Sequence, residues 1–413
     1  MSDLFIIAGI RTPFIRMGTD FDGLSAADLG KHACSALLTQ TGIDPGQLAE
    51  VIFGCVAQPP DAANVSRVIA LRAGVPNHVP ASTVHRNCAS GMEAITTAHQ
   101  RMAAGKGDLF LVGGTESMSR VPLFYPHGTN AKFNALGRAK DLMGKLRAVA
   151  AFRPMDFKPE IGLQLGLTDP VSGMIMGDTA ELLSREYGID RAAQDAFAAA
   201  SHRKALAARE QVKDEITPVF VNGQAVSADN GIRDDSTVEK LAKLKPIFDR
   251  QTGTVTAGNS SQITDGAVAL LVGNEEAAKR VGLEPMGRLV SYAYTGCDPS
   301  RMGLGPVPAM RLAQQQGGLA PEEADVIEIN EAFAAQVLAV LTELRKQGPG
   351  FVIPEEKVNR WGGSIALGHP VGATGARLVL TALNQLHANG GKKALVSLCV
   401  GGGQGAALWL ERT

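Results

Sequence analysis

Short β-rich runs alternate with helical runs along most of this 413-residue chain. That alternation predicts strands joined by crossover helices, with a mostly parallel sheet buried between them. Two stretches repeat weakly. Residues 48–54 (LAEVIFG) read like 323–329 (EADVIEI). Residues 88–92, a helix and 108–114 (DLFLVGG) read like 372–376, a helix and 392–398 (KKALVSL). The repeat predicts two similar α/β halves packed together. The uncharged run 394–410 spans 17 residues but holds four glycines and a glutamine, so it predicts a buried strand, a turn and a second strand, not a membrane span.

Between the halves, residues 121–248 differ in character. The first part carries Pro122, Pro126, Pro154, Pro159 and Pro170. Residues 128–160 hold seven Lys/Arg against three Asp/Glu, and Leu136, Leu142, Met143, Leu146 and Val149 recur at helical spacing. These features predict a basic amphipathic helix. One reading is a solvated helix whose apolar face covers the domain; the other is peripheral docking on anionic lipid or on a partner subunit. Residues 178–209 then predict two helices parted at Gly188, the second capped by Asp190.

Composition narrows the class. Hydrophobic residues make up 45% and charged residues 20%, with 47 glycines, which fits a close-packed enzyme of two or three domains and excludes disorder. Forty basic and 41 acidic side chains give a net charge of −1, which argues against nucleic acid as a partner. The five cysteines are an odd number without a CxxC pair, so neither a disulfide framework nor a thiolate metal site is expected. Residues 4–9 are too short for the apolar region of a signal peptide and follow the acidic Asp3. The expected address is the reducing cytoplasm.

Candidate chemistry gathers at a few loops. Residues 81–84 read as a strand and Ser90 opens a helix with Gly91, Ile95, Ala98 and Met102 on one face, which puts Cys88 at a helix N-terminus. Free backbone N–H groups and the dipole favour a thiolate there, although a lone cysteine is more often an inert core residue. His369 lies in the glycine-rich loop 362–375 that opens the matching helix, and Pro370 keeps it out of helical geometry. The loop lacks both Walker spacing and a strand-linked GxGxxG. Cys399 precedes a Gly-Gly-Gly run, which suits a plain hairpin or an oxyanion pocket beside a thiol. Asn330 ends a β-rich run and opens a helix, where a simple N-cap is the bland alternative. His85 is a rival base, but its proximity to Cys88 in sequence need not bring the side chains together.

Taken jointly, residues 87–91 (NCASG), 113–118 (GGTESM), 256–261 (TAGNSS), 330–333 (NEAF), 368–370 (GHP) and 399–403 (CVGGG) resemble the thiolases, in order and over nearly the whole chain. The resemblance implies a five-layer αβαβα fold of two duplicated halves with an inserted loop domain. Residues 1–120 and 249–275 would form the N-terminal half, 121–248 the loop domain and 276–413 the C-terminal half. It implies Cys88 as the acyl-carrying nucleophile, His369 as its base and Cys399 as the acid/base at the α-carbon. Asn330, through a water, and His369 would form one oxyanion hole; the N–H groups of Cys88 and Gly401 would form a second. Arg233 and Ser261 would contact coenzyme A, which is a substrate and not a resident cofactor.

Within the family, 128–160 and 176–180 (MGDTA) look most like the thiolase subunit of fatty-acid β-oxidation trifunctional complexes. Asn330 follows the general family pattern, whereas bacterial members of that group can carry histidine there. Ile175 stands where short-chain biosynthetic thiolases have histidine, which counts against acetoacetyl specificity. The resemblance thus implies 3-ketoacyl-CoA thiolysis, with acetoacetyl-CoA synthesis as the alternative. It also implies a homodimer or homotetramer, or a complex with a hydratase/dehydrogenase subunit. A decarboxylating ketoacyl synthase would share the fold but use two histidines, or His and Asn, with its cysteine. A non-catalytic lipid carrier would tolerate loss of the catalytic residues, all of which are present here.

Overall fold

The computed structural model describes residues 3–413, which separate into a larger unit (residues up to Arg120 and Asp169–Thr413) and a smaller one (Val121–Thr168). Residues 169–248, part of the expected insert, pack within the larger unit.

The larger unit holds strands β1 (Phe5–Arg11), β2 (Glu50–Gly54), β3 (Ala81–Val84), β4 (Leu109–Glu116), β5 (Thr264–Gly273), β6 (Gly287–Gly296), β7 (Val326–Ile329), β8 (Lys393–Val400) and β9 (Gln404–Glu411). They pair in the order β7-β8-β9-β6-β1-β5-β4-β2-β3. Outward from the β1–β6 junction, each half repeats two antiparallel pairings and then parallel ones: β1–β5, β5–β4, β4–β2, β2–β3 against β6–β9, β9–β8, β8–β7. A single parallel bridge from Ile327 to Val358 stands where the fifth strand of the second half would lie. The two-halves expectation therefore corresponds to a pseudo-symmetric sheet. The expectation of a mostly parallel sheet does not hold, because the three-residue turn 401–403 between β8 and β9 can only join antiparallel neighbours.

The helices of this unit are α1 (Ala26–Thr41), α2 (Val65–Arg72), α3 (Ser90–Ala103), α4 (Met176–Glu186), α5 (Arg191–Ala207), α6 (Pro306–Gly317), α7 (Ala334–Lys346) and α8 (Val371–Asn389). Successive strand residues face opposite cores, as the two-residue period of a strand requires. On β5, Ala269 and Leu271 pack with Leu29 and Leu37 of α1 and Ile69 of α2. The alternate residues Val268 and Leu270 pack with α3 and α8 (Met92, Ile95, Leu380, Leu383) and with Val396 and Leu408 of the other half. Beyond them, Leu395 and Trp409 pack with Met310 of α6 and Val340 of α7. The layers are therefore α1/α2, half-sheet, α3/α8, half-sheet, α6/α7, the five-layer αβαβα arrangement. Each fully buried Leu or Ile contributes roughly 1.5–3 kcal/mol to holding it.

The helices α4 and α5 match the pair expected in 178–209, and Asp190 caps the second through Ala193 N at 2.7 Å. Among the described residues no helix is long and apolar enough to cross a membrane.

In the smaller unit, the one amphipathic helix expected within 128–160 is two, His127–Arg138 and Leu142–Ala150. Extended backbone at Ala139 ends the first, and Asp141 caps the second through Gly144 N at 2.9 Å. Phe133, Phe152 and Phe157 form an aromatic cluster, and Lys132 pairs with Asp156 at 2.5 Å. Leu142, Met143, Leu146 and Val149 are all more than half exposed, so this apolar stripe does not cover a core as the bland reading expected.

Candidate active site

Two helix N-termini from the two halves meet at the centre. The middle layer permits this because glycines stand where α3 and α8 touch. A Cβ on Gly91 would sit 2.6 Å from Ala376 N, and one on Gly375 would sit 2.8 Å from Met92 N. Glu116, buried at the end of β4, ties the start of α8 to the loop that follows β2. Its carboxylate accepts from Gly372 N (2.9 Å), Val56 N (3.0 Å) and Ala57 N (2.9 Å). Burial raises its pKa, and those backbone donors partly offset the rise.

Cys88 sits between β3 and α3, as expected from sequence. The preceding residue, Asn87, has φ of 42°, a left-handed conformation that is uncommon outside glycine. Its Nδ2 donates to Gly401 O at 2.7 Å, tying the Cys88 loop to the β8–β9 turn. Burial raises the Cys88 pKa, while backbone N–H groups of Gly401 and of Cys88 itself act in the opposite sense. Those two N–H groups thus converge where charge would form on or beside the sulfur.

His369 is buried at the start of α8. Its Nδ1 lies 2.6 Å from Thr374 Oγ1, and that hydroxyl donates to Pro370 O at 3.0 Å. Thr374 has one proton, so Nδ1–H donates to it and Nε2 is left with its lone pair. Nε2 has no hydrogen-bond partner among the described residues. Burial, helped by the positive charge of Arg377, pushes the His369 pKa down to about 4. The imidazole is therefore a neutral base at pH 7.

Asn330 is not the N-cap that its position suggested; α7 begins at Ala334 with Phe333 as its cap residue. Asn330 instead takes a hydrogen bond from Ser364 Oγ on Oδ1 at 2.6 Å and leaves Nδ2 buried without a partner. Cys399 ends β8 in an apolar pocket with Met176, Ala180, Met302 and Phe333. Burial raises its pKa well above the ordinary thiol value, and the neighbouring Cys88 adds to the rise. The Cys399 strand does lead into a hairpin, but the thiol itself faces this site. His85 is exposed, with its Nδ1 accepting from Asn87 N at 3.4 Å.

The structure therefore places Cys88 beside Cys399 and the Gly401 N–H, with His369 just before α8, whose first turn packs against the start of α3, and Asn330 at the end of β7 beside β8. Ser261 borders them through Ser261 N to Ala332 O at 2.9 Å. Its neighbour Gln262 accepts His369 N on its carbonyl at 3.0 Å and donates from Nε2 to Gly231 O at 2.9 Å. Two residues on, Arg233 is exposed and lines a cavity of about 360 Å³ with Arg203, Ser236 and Thr237. Arg203, Glu116, Thr374 and Ser364 were not singled out from sequence. Glu116 and Thr374 lie inside quoted motifs, and their charge or hydroxyl among glycines was the available signal.

These shifts predict the resting state. Burial disfavours both the Cys88 thiolate and the His369 imidazolium, so the free protein should hold a neutral thiol and imidazole at pH 7. The difference in 240 nm absorbance between wild type and Cys88→Ala should show a thiolate only above the ordinary thiol range, because burial disfavours the charged sulfur. A titration step between pH 5 and 8 would contradict this.

Comparison with known proteins then gives consistent matches. The sequence models for "Thiolase, N-terminal domain" and "Thiolase, C-terminal domain" match residues 4–276 and 283–412. An acetyl-CoA acetyltransferase of Pseudomonas aeruginosa is 42% identical over the full length of both chains. A 3-ketoacyl-CoA thiolase of Pectobacterium atrosepticum is 39% identical, covering 98% of this chain and 96% of its own. The crystal structure of human mitochondrial 3-ketoacyl-CoA thiolase in complex with CoA superposes with a TM-score of 0.88 at 35% identity, covering 100% and 98% of the two chains.

Proposed function

Because the chain belongs to the thiolase family of acyltransferases, we propose that it cleaves 3-ketoacyl-CoA with coenzyme A, giving acetyl-CoA and a shortened acyl-CoA. What supports this reading is the adjacency of two thiols to the N–H groups of Cys88 and Gly401, together with two buried nitrogens that have no hydrogen-bond partner among the described residues, His369 Nε2 and Asn330 Nδ2.

His369 Nε2 takes the proton of Cys88 as Sγ attacks the 3-keto carbon. The N–H groups of Cys88 and Gly401 receive the resulting alkoxide. When the bond between the second and third carbons breaks, the acyl group stays on Cys88 and the electron pair moves into a thioester enolate. The imidazolium N–H and the Asn330 NH2, the latter through a water, stabilise the enolate oxygen. Cys399 delivers the proton to the α-carbon, releasing acetyl-CoA. Coenzyme A then gives its thiol proton to the Cys399 thiolate as its sulfur attacks the Cys88 thioester, and the departing Cys88 sulfur recovers its proton from the His369 imidazolium, so that both thiols and the neutral imidazole are restored. Each oxyanion donor contributes about 3–4 kcal/mol to lowering the barrier. A base for a weakly acidic C–H must lie in a dry pocket, which fits the apolar surroundings of Cys399. For coenzyme A we assign Ser261 to the acyl end, and Arg233, joined by Arg203, to phosphate groups in the adjoining cavity.

Ile175 before Met176-Gly177, and the name of the Pectobacterium relative, support thiolysis of longer substrates. The name of the Pseudomonas relative supports a second reading, condensation of two acetyl-CoA to acetoacetyl-CoA. Measuring kcat/KM for thiolysis from acetoacetyl-CoA to long-chain 3-ketoacyl-CoA separates them. Higher values for the longer substrates are expected. Activity confined to acetoacetyl-CoA would favour condensation, and none with any chain length would overturn both.

A further inference from the structure

A row of buried polar side chains lies behind the groups just assigned, and none of those roles uses it. Ser364 Oγ donates to Asn330 Oδ1 at 2.6 Å, and Arg377 Nη2 donates to Ser364 Oγ at 3.4 Å. Arg377 Nη1 pairs with Glu328 Oε2 at 2.9 Å, and Gln385 Nε2 donates to Glu328 Oε1 at 2.7 Å. All five residues are at most 1% exposed. A guanidinium and a carboxylate so deeply buried cost several kcal/mol in desolvation, so a bland helix–strand contact would be apolar here.

Donor chemistry fixes the direction of each bond. A guanidinium can only donate, so Ser364 Oγ accepts from Arg377, and its single proton goes to Asn330 Oδ1. The atom of Asn330 that meets Ser364 is thereby the carbonyl oxygen, and the NH2 is the end left unpaired. This matters because the two ends of a carboxamide have nearly the same shape. Turned over, Asn330 would set a carbonyl lone pair against a developing oxyanion. The backbone bond from Asn330 N to Ser397 O, at 2.9 Å, holds the main chain but leaves that choice open.

We propose that Ser364 is a positioning residue for the carbon–carbon bond step: by donating to Asn330 Oδ1 it keeps the NH2 turned toward the enolate oxygen, and the Arg377–Glu328–Gln385 row keeps the Ser364 proton aimed at Asn330. The inference rests on the thiolysis reading and on the role given there to Asn330.

The test uses full-length Ser364→Ala and Asn330→Ala, singly and combined. Two rates are measured: steady-state thiolysis of a 3-ketoacyl-CoA, and acylation of Cys88 by acyl-CoA alone, which forms no enolate. Removing one oxyanion donor lowers kcat about 10²–10³-fold, so Asn330→Ala should fall in that range. Ser364→Ala should lower kcat about 10-fold or more, with KM and the acylation rate each within about 2-fold of wild type. In the Asn330→Ala background, Ser364→Ala should cost less than about 2-fold further, because its effect passes through Asn330. Equal costs in both backgrounds, a parallel fall in acylation, or full activity of Ser364→Ala while Asn330→Ala is slow would overturn the positioning role and leave the thiolysis reading standing. Full thiolysis by Asn330→Ala would overturn the role of Asn330 itself, and with it this inference.

Discussion

Cys88→Ala is expected to lower thiolysis by about 10⁴-fold or more, because it removes the atom that carries the acyl group between the two half-reactions. No other thiol stands in for it. Cys399 lies in an apolar pocket, and burial holds its thiol well above the ordinary range. Cys297 is half-buried and pushed up to about 11, Cys34 is fully buried elsewhere in the fold, and Cys55 is fully buried with its thiol on Glu116 Oε1 at 3.7 Å and raised well above the ordinary range by burial. The substitution shortens one side chain without disturbing the bond from Asn87 to Gly401 or the N–H groups around the site, so the variant should fold normally. With labelled acyl-CoA, wild type should retain label on the protein after denaturation and Cys88→Ala should retain none. Label persisting on another residue of the variant would refute the nucleophile assignment.

The second large effect separates the thiols. In Cys399→Ala, acylation of Cys88 by acyl-CoA should continue within a few-fold of wild type, since Cys88, the Gly401 N–H and His369 are all retained. Exchange of the acetyl-CoA methyl protons with deuterated water should be lost, and thiolysis should fall about 10²–10⁴-fold, the range typical of a positioned acid/base. The raised thiol pKa suits this role, because the same sulfur must hold a proton before it delivers one to carbon. Exchange that persists in the variant would move the acid/base role to another group.

The half-repeat was legible because each half must bury the same two faces of a strand, which leaves matching apolar runs at 48–54 and 323–329. Sheet direction was not, since β5 and β9 return antiparallel through connections whose geometry leaves no period in the sequence. Cys88, His369 and Cys399 stood out because a reactive side chain beside glycines at a helix start or strand end is chemically conspicuous. Asn330 was visible, but its partner was not: Ser364 lies 34 residues away, and only the tertiary fold makes them neighbours. Glu328 inside VIEI and Arg377 inside GARLVL are charges in apolar runs, the one sequence sign that a buried ion pair stood behind the site. The break at 139–141 is hidden in the sequence because the apolar spacing runs through it while Asp141 starts a new helix.

The most direct measurement of the proposed chemistry is peptide mass spectrometry of the wild-type protein, mixed with a 3-ketoacyl-CoA in the absence of coenzyme A and quenched in acid. The shortened acyl group should be found on the peptide carrying Cys88, with one acetyl-CoA released for each adduct. An adduct on any other residue, or acetyl-CoA released without an adduct, would contradict an acyl-enzyme on Cys88.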